Sequence, residues 1–306
     1  MEFREEAVLQ PFHSRYHSEE ACMEALIAMK WPDGFVCPRC DHTGCSRLNS
    51  RRVPLFECGR CKHQTSALMG TIFEGTRLPL LKWFMALDLF LLPDGISALR
   101  LSQVIDVTYK TAWLMLHKIR HAALHFDARE LLYGDVKVNS DQYGRNPSRC
   151  AVSHPHASAV VAGCTVDEAG EPQQVKIRLL PQSRGTDTRA SRRDLTAFID
   201  EHVDRLASEA TEVQLSTQAF RLYAPLRSVV REAWVSLKNT YGALGRKHLQ
   251  AYLNEFTGRR WLRVSGTAES MRQKLLQMCI AIPGISYLEL IARQPDQPLE
   301  NALAAA

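Results

Sequence analysis

Cys37-Pro38-Arg39-Cys40 and Cys58-Gly59-Arg60-Cys61 are two Cys-x2-Cys pairs separated by 17 residues. This spacing is typical of a zinc ribbon, in which each pair supplies two thiolates from a tight turn to one tetrahedral ion. The sequence therefore predicts structural zinc, Zn2+, bound by Cys37, Cys40, Cys58 and Cys61. Cys45, between the pairs, is interpreted as a spare thiol. The alternative is that four buried thiols fell into this register by chance.

The segments around the pairs fit a small ribbon domain. Ser18 is a candidate N-cap, with Glu19 and Glu20 behind it, and apolar residues at near-helical spacing then predict a helix over residues 18–30. Residues 51–57 read as a strand that brings the second cysteine pair to the metal. Pro54 predicts that this is an edge strand, since proline cannot donate to a strand ladder.

Length and composition indicate a multidomain protein of ordinary globular type. The chain has 306 residues, of which 45% are hydrophobic and 23% charged, and this length predicts two or three domains. No apolar run approaches the roughly 18 residues that span a bilayer, and the first ten residues lack a signal-peptide layout. Of the nine cysteines, four have the spacing of metal ligands and the others are scattered, which fits a reducing compartment better than a disulfide framework. We therefore expect a cytoplasmic, nucleoid-associated protein that does not bind membranes.

The positive charge is concentrated in one part of the chain. The net charge is +5, but residues 46–125 carry eleven Lys and Arg against five Asp and Glu, a net charge of +6. A basic segment that overlaps a zinc ribbon favours contact with a phosphate backbone, and hence double-stranded DNA as the partner. A solvated basic face without a partner is the alternative.

Three apolar segments after the ribbon predict helices over residues 78–92, 96–105 and 108–123. The link between the second and third helices is Asp106-Val107, which is short enough for a helix-turn-helix. Thr108, Tyr109, Lys110 and Thr111 begin the third helix, at the end where a recognition helix touches base edges. Predicted phosphate partners are Arg100, Lys118 and Arg120. A plain helical core with no such role is the alternative.

From residue 131 the pattern becomes that of an α/β domain with a mixed sheet. Strands are predicted over residues 135–138, 157–166, 174–180 and 212–215, and helices over 191–207, 222–230, 247–259 and 267–280. The helix over 222–230 is predicted to be weak because Pro225 interrupts it. We find no internal repeat.

Several motifs resemble the ISXO2-like insertion-sequence transposases. That family joins a zinc ribbon and a helical DNA-binding segment to a DDE-type catalytic domain of ribonuclease-H-like fold. The resemblance covers roughly residues 12–260, and its first half is the more specific. The matching segments are residues 35–40, 58–61, 65–73, 81–83, 95–98, 109–113, 117–120 and 247–256.

The resemblance implies three acidic residues that bind two divalent metals for phosphoryl transfer. At the corresponding positions this chain has Asn139, Gln218 and Arg231. A neutral amide coordinates a metal weakly, and an arginine repels one, so the resemblance implies a degenerate DDE site with no catalytic residues.

Nearby acids offer an alternative to loss of activity. Asp135, Asp141, Asp194 or Glu232 would supply displaced ligands if the register of the comparison were shifted. His154 and His156 suggest another metal site, but a surface loop is the better interpretation because no Cys or acid lies beside them at ligand spacing.

The expected architecture is therefore α+β and multidomain, with an N-terminal zinc ribbon and helix-turn-helix followed by a ribonuclease-H-like α/β domain. The expected segments are a leading helix (1–30), the zinc ribbon (31–70), the helix-turn-helix (71–126), the degenerate ribonuclease-H-like domain (130–262) and a C-terminal helical extension (263–306).

These expectations describe a domesticated transposase: an inactive, DNA-binding protein that regulates transcription or a mobile element, with a possible homo-oligomeric state. The alternative is an active DDE transposase that uses displaced acids and therefore requires Mg2+. A third interpretation is a zinc-ribbon protein that mainly binds another protein.

Overall fold

The computed structural model describes residues 9–10, 12–144, 158–181, 190–204, 212–216, 222–242, 244–264 and 266–292, and for residues 212–216 it describes the backbone only. The described residues divide into two compact units. The first comprises residues up to Ala122 together with Arg272–Tyr287, and the second comprises Ala123–Met271 together with residues from Leu288 onward.

The first unit contains the helix predicted over residues 18–30, which follows a few helical residues at 9–10 and 12–15, and a three-stranded sheet. Helix α1 is Glu19–Lys30, and the Ser18 hydroxyl caps it by accepting from the Ala21 N–H. The strands are β1 (Cys45–Leu48), β2 (Leu55–Cys58) and β3 (Gln64–Ser66), in the order β1-β2-β3 with antiparallel pairing.

The prediction of an edge strand from Pro54 is wrong. Strand β2 is the central strand of its sheet, and it begins at Leu55. Pro54 therefore lies one residue before the ladder, where its missing N–H removes no hydrogen bond.

Three helices follow the ribbon, as predicted: α2 (Leu80–Phe90), α3 (Ala98–Val104) and α4 (Tyr109–Asp127). Helix α2 is apolar on nearly all sides and is mostly buried. Its one acid, Asp88, is 5% exposed and forms a 2.8 Å ion pair with Arg272. Helix α2 therefore forms the core of the first unit.

The second unit is built on a four-stranded mixed sheet, so the mixed α/β class is confirmed. Its strands are β4 (Asp135–Tyr143), β5 (Ser158–Val166), β6 (Pro172–Leu179) and β7 (Glu212–Ser216), in the order β6-β5-β4-β7. Strands β4, β5 and β6 pair antiparallel, whereas β7 pairs parallel to β4. Between β6 and β7 lies α5 (Arg192–His202), which supplies part of the connection that a parallel neighbour requires.

Helices cover both faces of this sheet. Helix α5 packs on the face that carries Val136 and Val138. Helices α6 (Ala224–Tyr241) and α7 (Arg246–Val264) pack on the opposite face. Two more helices complete the described chain, α8 (Ala268–Ala281) and α9 (Tyr287–Ala292), of which α9 was not predicted.

Strand β4 and helices α6 and α7 each extend at least five residues past their predicted ends, and α7 ends at Val264 instead of Arg259. Strand β4 continues past Val138 to Tyr143, and α6 continues past Val230 to Tyr241. Pro225 lies in the first turn of α6, where a backbone N–H has no helical partner, so it starts the helix rather than interrupting it.

Candidate metal centre and nucleic-acid interface

The fold brings the four predicted zinc ligands together. The Sγ atoms of Cys37, Cys40, Cys58 and Cys61 all lie within 4.8 Å of one another, and this is the only such Cys, His, Asp or Glu group among the residues that the structure describes. The Cys37–Cys61 and Cys40–Cys58 sulfur distances are both 3.6 Å. Sulfurs bound tetrahedrally to zinc at about 2.3 Å are separated by about 3.8 Å, so the cluster fits a Zn2+ ion. Cys45 is exposed and does not belong to the cluster.

The cysteines are presented by two turns, here called knuckles, with one repeated sequence. The first knuckle is Cys-Pro-Arg-Cys-Asp-His (37–42) and the second is Cys-Gly-Arg-Cys-Lys-His (58–63). Cys37 N–H donates to the His42 carbonyl at 3.0 Å, and Cys58 N–H donates to the His63 carbonyl at 2.9 Å. The sequence analysis found no internal repeat, because this one is only six residues long. The signal for it is the Cys-x-Arg-Cys-x-His pattern that both knuckles share.

The backbone of the two knuckles is equivalent as well. Asp41 and Lys62, each directly after the second cysteine of its pair, have positive φ values of 56° and 58°. Residues other than glycine rarely adopt this left-handed conformation, and it persists only where the surrounding structure demands it. The two knuckles therefore hold their cysteines in the same local geometry.

Two thiols of the cluster, Cys58 and Cys40, have pKa values shifted in opposite directions. The backbone N–H of Cys61 points at Cys58 and lowers the pKa of that thiol to about 6, despite the opposing effect of burial. For Cys40 the backbone N–H of His42 acts in the same direction, but hydrogen bonds with the other three thiols and burial outweigh it and raise the pKa to about 12. A cation is therefore needed for four thiolates to coexist here.

The apolar core of the ribbon is too small to replace that cation. It consists of the buried Phe35, Cys37, Phe56 and Cys58, with Trp31 packed against them. The Trp31 ring lies 5.1 Å from the Phe35 ring and 4.8 Å from the Phe56 ring. Domains this small usually depend on a metal or disulfides for their stability.

The first turn of α4, where the sequence predicts contact with base edges, is exposed to solvent. Thr108, Tyr109 and Lys110 are exposed, and Thr111 is half-buried. The Thr108 hydroxyl accepts from the Thr111 N–H at 3.2 Å and so caps the helix. The Lys110 ammonium lies 4.9 Å from the centre of the Tyr287 ring.

Two of the predicted phosphate partners are engaged inside the protein. Arg120 is 2% exposed. The Lys118 ammonium donates to the Ile72 carbonyl at 3.1 Å, and burial lowers the pKa of Lys118. Arg100 is half-buried and has an interaction within the protein. The burial of Arg120 and the internal hydrogen bond of the half-buried Lys118 do not support phosphate contact by either residue.

Asn139, at the first position where the resemblance implies an acid, forms an amide clamp. Its side chain is fully buried on the central strand β4. Its Nδ2–H donates to the Tyr223 carbonyl at 3.0 Å, and its Oδ1 accepts from the Tyr223 N–H at 3.0 Å. The Tyr223 hydroxyl in turn donates to the Gly170 carbonyl. The clamp therefore fixes the start of α6 against β4.

The other two expected acid positions provide no carboxylate. Arg231 is exposed on α6. Gln218 lies outside the described residues, as do His154 and His156.

Each acid considered as a replacement has an interaction of its own. Asp135 pairs with Lys137 at 2.7 Å, Asp141 with Arg227 at 3.8 Å, and Glu232 with Arg260 at 3.5 Å. Asp194 completes the capping box of α5 with Ser191. Asp135 and Asp141 are six residues apart on one strand, or about 20 Å, and therefore cannot share a metal pair.

Comparison with known proteins confirms the resemblance to transposases. Residues 17–64 match the family described as transposase zinc-ribbon domain, of the IS1595 type. The chain is also 31% identical over 124 residues to an uncharacterized protein in transposable element ISH50 of Halobacterium salinarum. That match spans 40% of this chain and 41% of the relative. No solved structure matches the chain, and no helix among the described residues is long and apolar enough to cross a membrane.

The metal site predicts a clear difference between ligand and spare cysteines. Purified Cys37→Ser/Cys58→Ser protein should lose its zinc, measured by elemental analysis, from about one ion per chain to nearly none. Because the small aromatic core depends on the metal, the fluorescence of Trp31 should shift toward that of an exposed indole. Cys45→Ser is the matched control and should keep its zinc. Full zinc content in the double variant would contradict the site.

The amide clamp predicts that an acid is not tolerated at position 139. In Asn139→Asp a carboxylate would face the Tyr223 carbonyl without a proton to donate, and we expect a loss of about 1–3 kcal/mol in unfolding free energy at neutral pH. The buried carboxyl would have a raised pKa, so its protonated form would restore the donor and the loss should shrink as the pH falls through that pKa. Urea unfolding at several pH values tests this, with the exposed Asn239→Asp as control. Equal stability of Asn139→Asp and wild type at neutral pH would refute the clamp.

Proposed function

We propose that this chain is a DNA-binding protein derived from a transposase, that its second unit is a ribonuclease-H-like domain without catalytic activity, and that it regulates transcription or a mobile element. The observation that carries the proposal is the amide clamp of Asn139. At the position where a metal-binding carboxylate is expected, the chain uses a neutral side chain whose two polar atoms are both occupied by backbone groups. Such a residue carries no charge to offset that of a metal ion, and both of its polar atoms are already hydrogen-bonded.

The sheet of the second unit supports the ribonuclease-H-like interpretation. Three antiparallel strands are followed by a helix and a strand that is parallel to the first, and helices cover both faces. Asn139 pairs with Ser216 of β7 across the parallel ladder, two residues before Gln218. The first and second expected acid positions would therefore come from neighbouring strands, which is the arrangement a two-metal site needs.

The pairing of the remaining acids supports loss of chemistry. Asp135, Asp141 and Glu232 each face a basic side chain. A carboxylate paired with Lys or Arg has already gained a positive partner, and a second cation would have to displace it. These acids are better explained as parts of the scaffold than as displaced metal ligands.

DNA binding is supported by three features of the first unit. The ribbon matches a transposase domain, the segment over residues 46–125 is basic, and α3 and α4 are joined by a tight turn. In that turn Asp106 has a positive φ of 51°, and its carbonyl accepts from the Lys82 ammonium at 2.6 Å. We propose a helix-turn-helix in which α4 presents Thr108, Tyr109, Lys110 and Thr111 to DNA.

The DNA-binding proposal predicts a specific change in salt dependence. In Lys110→Gln one phosphate contact is removed, so the slope of log affinity against log salt should fall by about one for a random-sequence duplex. Arg193→Gln, an exposed change of the same charge in the second unit, is the control and should leave the slope unchanged. An unaltered slope in Lys110→Gln would count against the role of α4, and absence of any retention of the duplex at moderate salt would count against DNA binding.

The loss of catalysis predicts an inert protein under conditions that support two-metal chemistry. DNA that co-purifies with the protein, incubated with it in Mg2+ or Mn2+, should be neither nicked nor joined. Nicking by the wild type that is abolished in Asp141→Ala or Asp135→Ala would establish an active enzyme with displaced acids. Nicking that persists equally in both variants would be attributed to a contaminating nuclease.

A further inference from the structure

The two zinc knuckles present one arginine each at the same position. Arg39 and Arg60 directly precede the second cysteine of each pair, and both side chains are exposed. Neither guanidinium group has a hydrogen bond or ion pair with any other residue that the structure describes. Because the knuckles share a sequence pattern, a backbone hydrogen bond and a positive φ at the same position, the two arginines are placed at equivalent positions beside the cysteine cluster.

Other arginines of the ribbon are already engaged. Arg47 forms a 2.5 Å ion pair with Glu24. Arg52 donates to the carbonyls of Thr76 and Arg77, both at 3.2 Å. Arg39 and Arg60 therefore differ from these neighbours in having their donors available for a ligand.

Arg51 is exposed as well, but it lies at the opposite end of the ribbon. In the β1–β2 hairpin Cys45 pairs with Cys58 at the metal end, and Leu48 pairs with Leu55 at the end next to the connecting turn. Arg51 belongs to that turn, one strand length of about 10 Å from the metal end. The arginine pair at the metal end is thus separate from Arg51.

The two knuckles differ in charge at a single equivalent position. The left-handed residue after the second cysteine is Asp41 in the first knuckle and Lys62 in the second, and both are exposed. Asp41 offsets the charge of Arg39, whereas Lys62 adds to that of Arg60. The 4.0 Å contact between Lys62 and Glu57 is a surface pair and cancels little of this charge. The second knuckle is therefore the more positive.

We propose that the two knuckles form a phosphate-binding site for duplex DNA at the metal end of the ribbon, with Arg60 as the stronger and Arg39 as the weaker contact. Guanidinium groups bind phosphate oxygens through two parallel hydrogen bonds, and a repeating polyanion suits two equivalent arginines. The rigid knuckles hold the arginine backbones in place, which lowers the entropic cost of binding. The site rests on the proposed DNA-binding function and adds a second surface to the one at α4.

The test is the salt dependence of binding to a random-sequence duplex by the full, zinc-loaded chain. Arg39→Gln/Arg60→Gln should lower the slope by about 1.8, so that the loss of affinity between about 50 and 200 mM salt becomes about twelvefold smaller. Arg192→Gln/Arg193→Gln removes the same charge from exposed positions of the second unit and should leave the slope unchanged. Zinc content should equal that of the wild type in both, which excludes unfolding of the ribbon.

Single variants test which of the two knuckles contributes more to DNA affinity. Arg60→Gln should weaken binding more than Arg39→Gln, and Asp41→Asn should strengthen it, because asparagine keeps the left-handed backbone while removing the opposing charge. An equal effect of Arg51→Gln and Arg60→Gln would overturn the site, since charge anywhere on the ribbon would then suffice.

The outcomes separate this site from the function on which it rests. If the wild type binds DNA and Lys110→Gln weakens it while the knuckle double variant does not, DNA binding stands and the knuckle site is refuted. If the wild type binds no duplex at all, the proposed function is refuted, and the knuckle site that rests on it is refuted with it.

Discussion

Four thiol groups within 4.8 Å of one another are the constraint on which the ribbon depends. Four thiolates this close repel one another unless a cation balances their charge, and the aromatic core around Trp31 is too small to hold the fold alone. Zinc therefore supplies both the charge balance and a large part of the folding free energy. The repeated knuckles follow from the same requirement, because each must turn tightly enough to direct two sulfurs at one ion.

In the second unit, by contrast, the position expected to bind a metal carries no negative charge. The resemblance to transposases implies a carboxylate on β4, but Asn139 is neutral there and both of its polar atoms bond to Tyr223. The nearby acids are balanced by Lys137, Arg227 and Arg260. The chain thus keeps the four cysteines that bind its structural metal. In the second unit the position expected to bind catalytic metals is neutral and the nearby acids are paired with basic residues, and the proposed loss of catalysis follows from this. In this account the sheet and its helices act as a scaffold.

The sequence predicted the ribbon cysteines, helices α1 to α4 and the order of strands and helices from β4 to α8, because metal spacing, capping and hydrophobic periodicity are local signals. It did not predict β1, β3 or α9. It misjudged Pro54, since the strand starts one residue later, and Pro225, since a proline in the first turn starts a helix. The partners of Asn139, Lys118 and Arg120 could not be predicted. Asn139 meets Tyr223 at a separation of 84 residues and Lys118 meets Ile72 at 46, and such contacts depend on the tertiary fold.

An inventory of bound metals tests the central claim most directly, because the ribbon and the sheet are expected to differ in their affinity for divalent ions. The purified chain is dialysed against Mn2+, which reports on carboxylate sites, and its zinc and manganese are then counted by elemental analysis. This account predicts about one zinc per chain and no stoichiometric manganese. Two manganese ions per chain that are lost on substitution of Asp135 or Asp141 would contradict this account. That result would support the alternative, an active transposase that uses displaced acids.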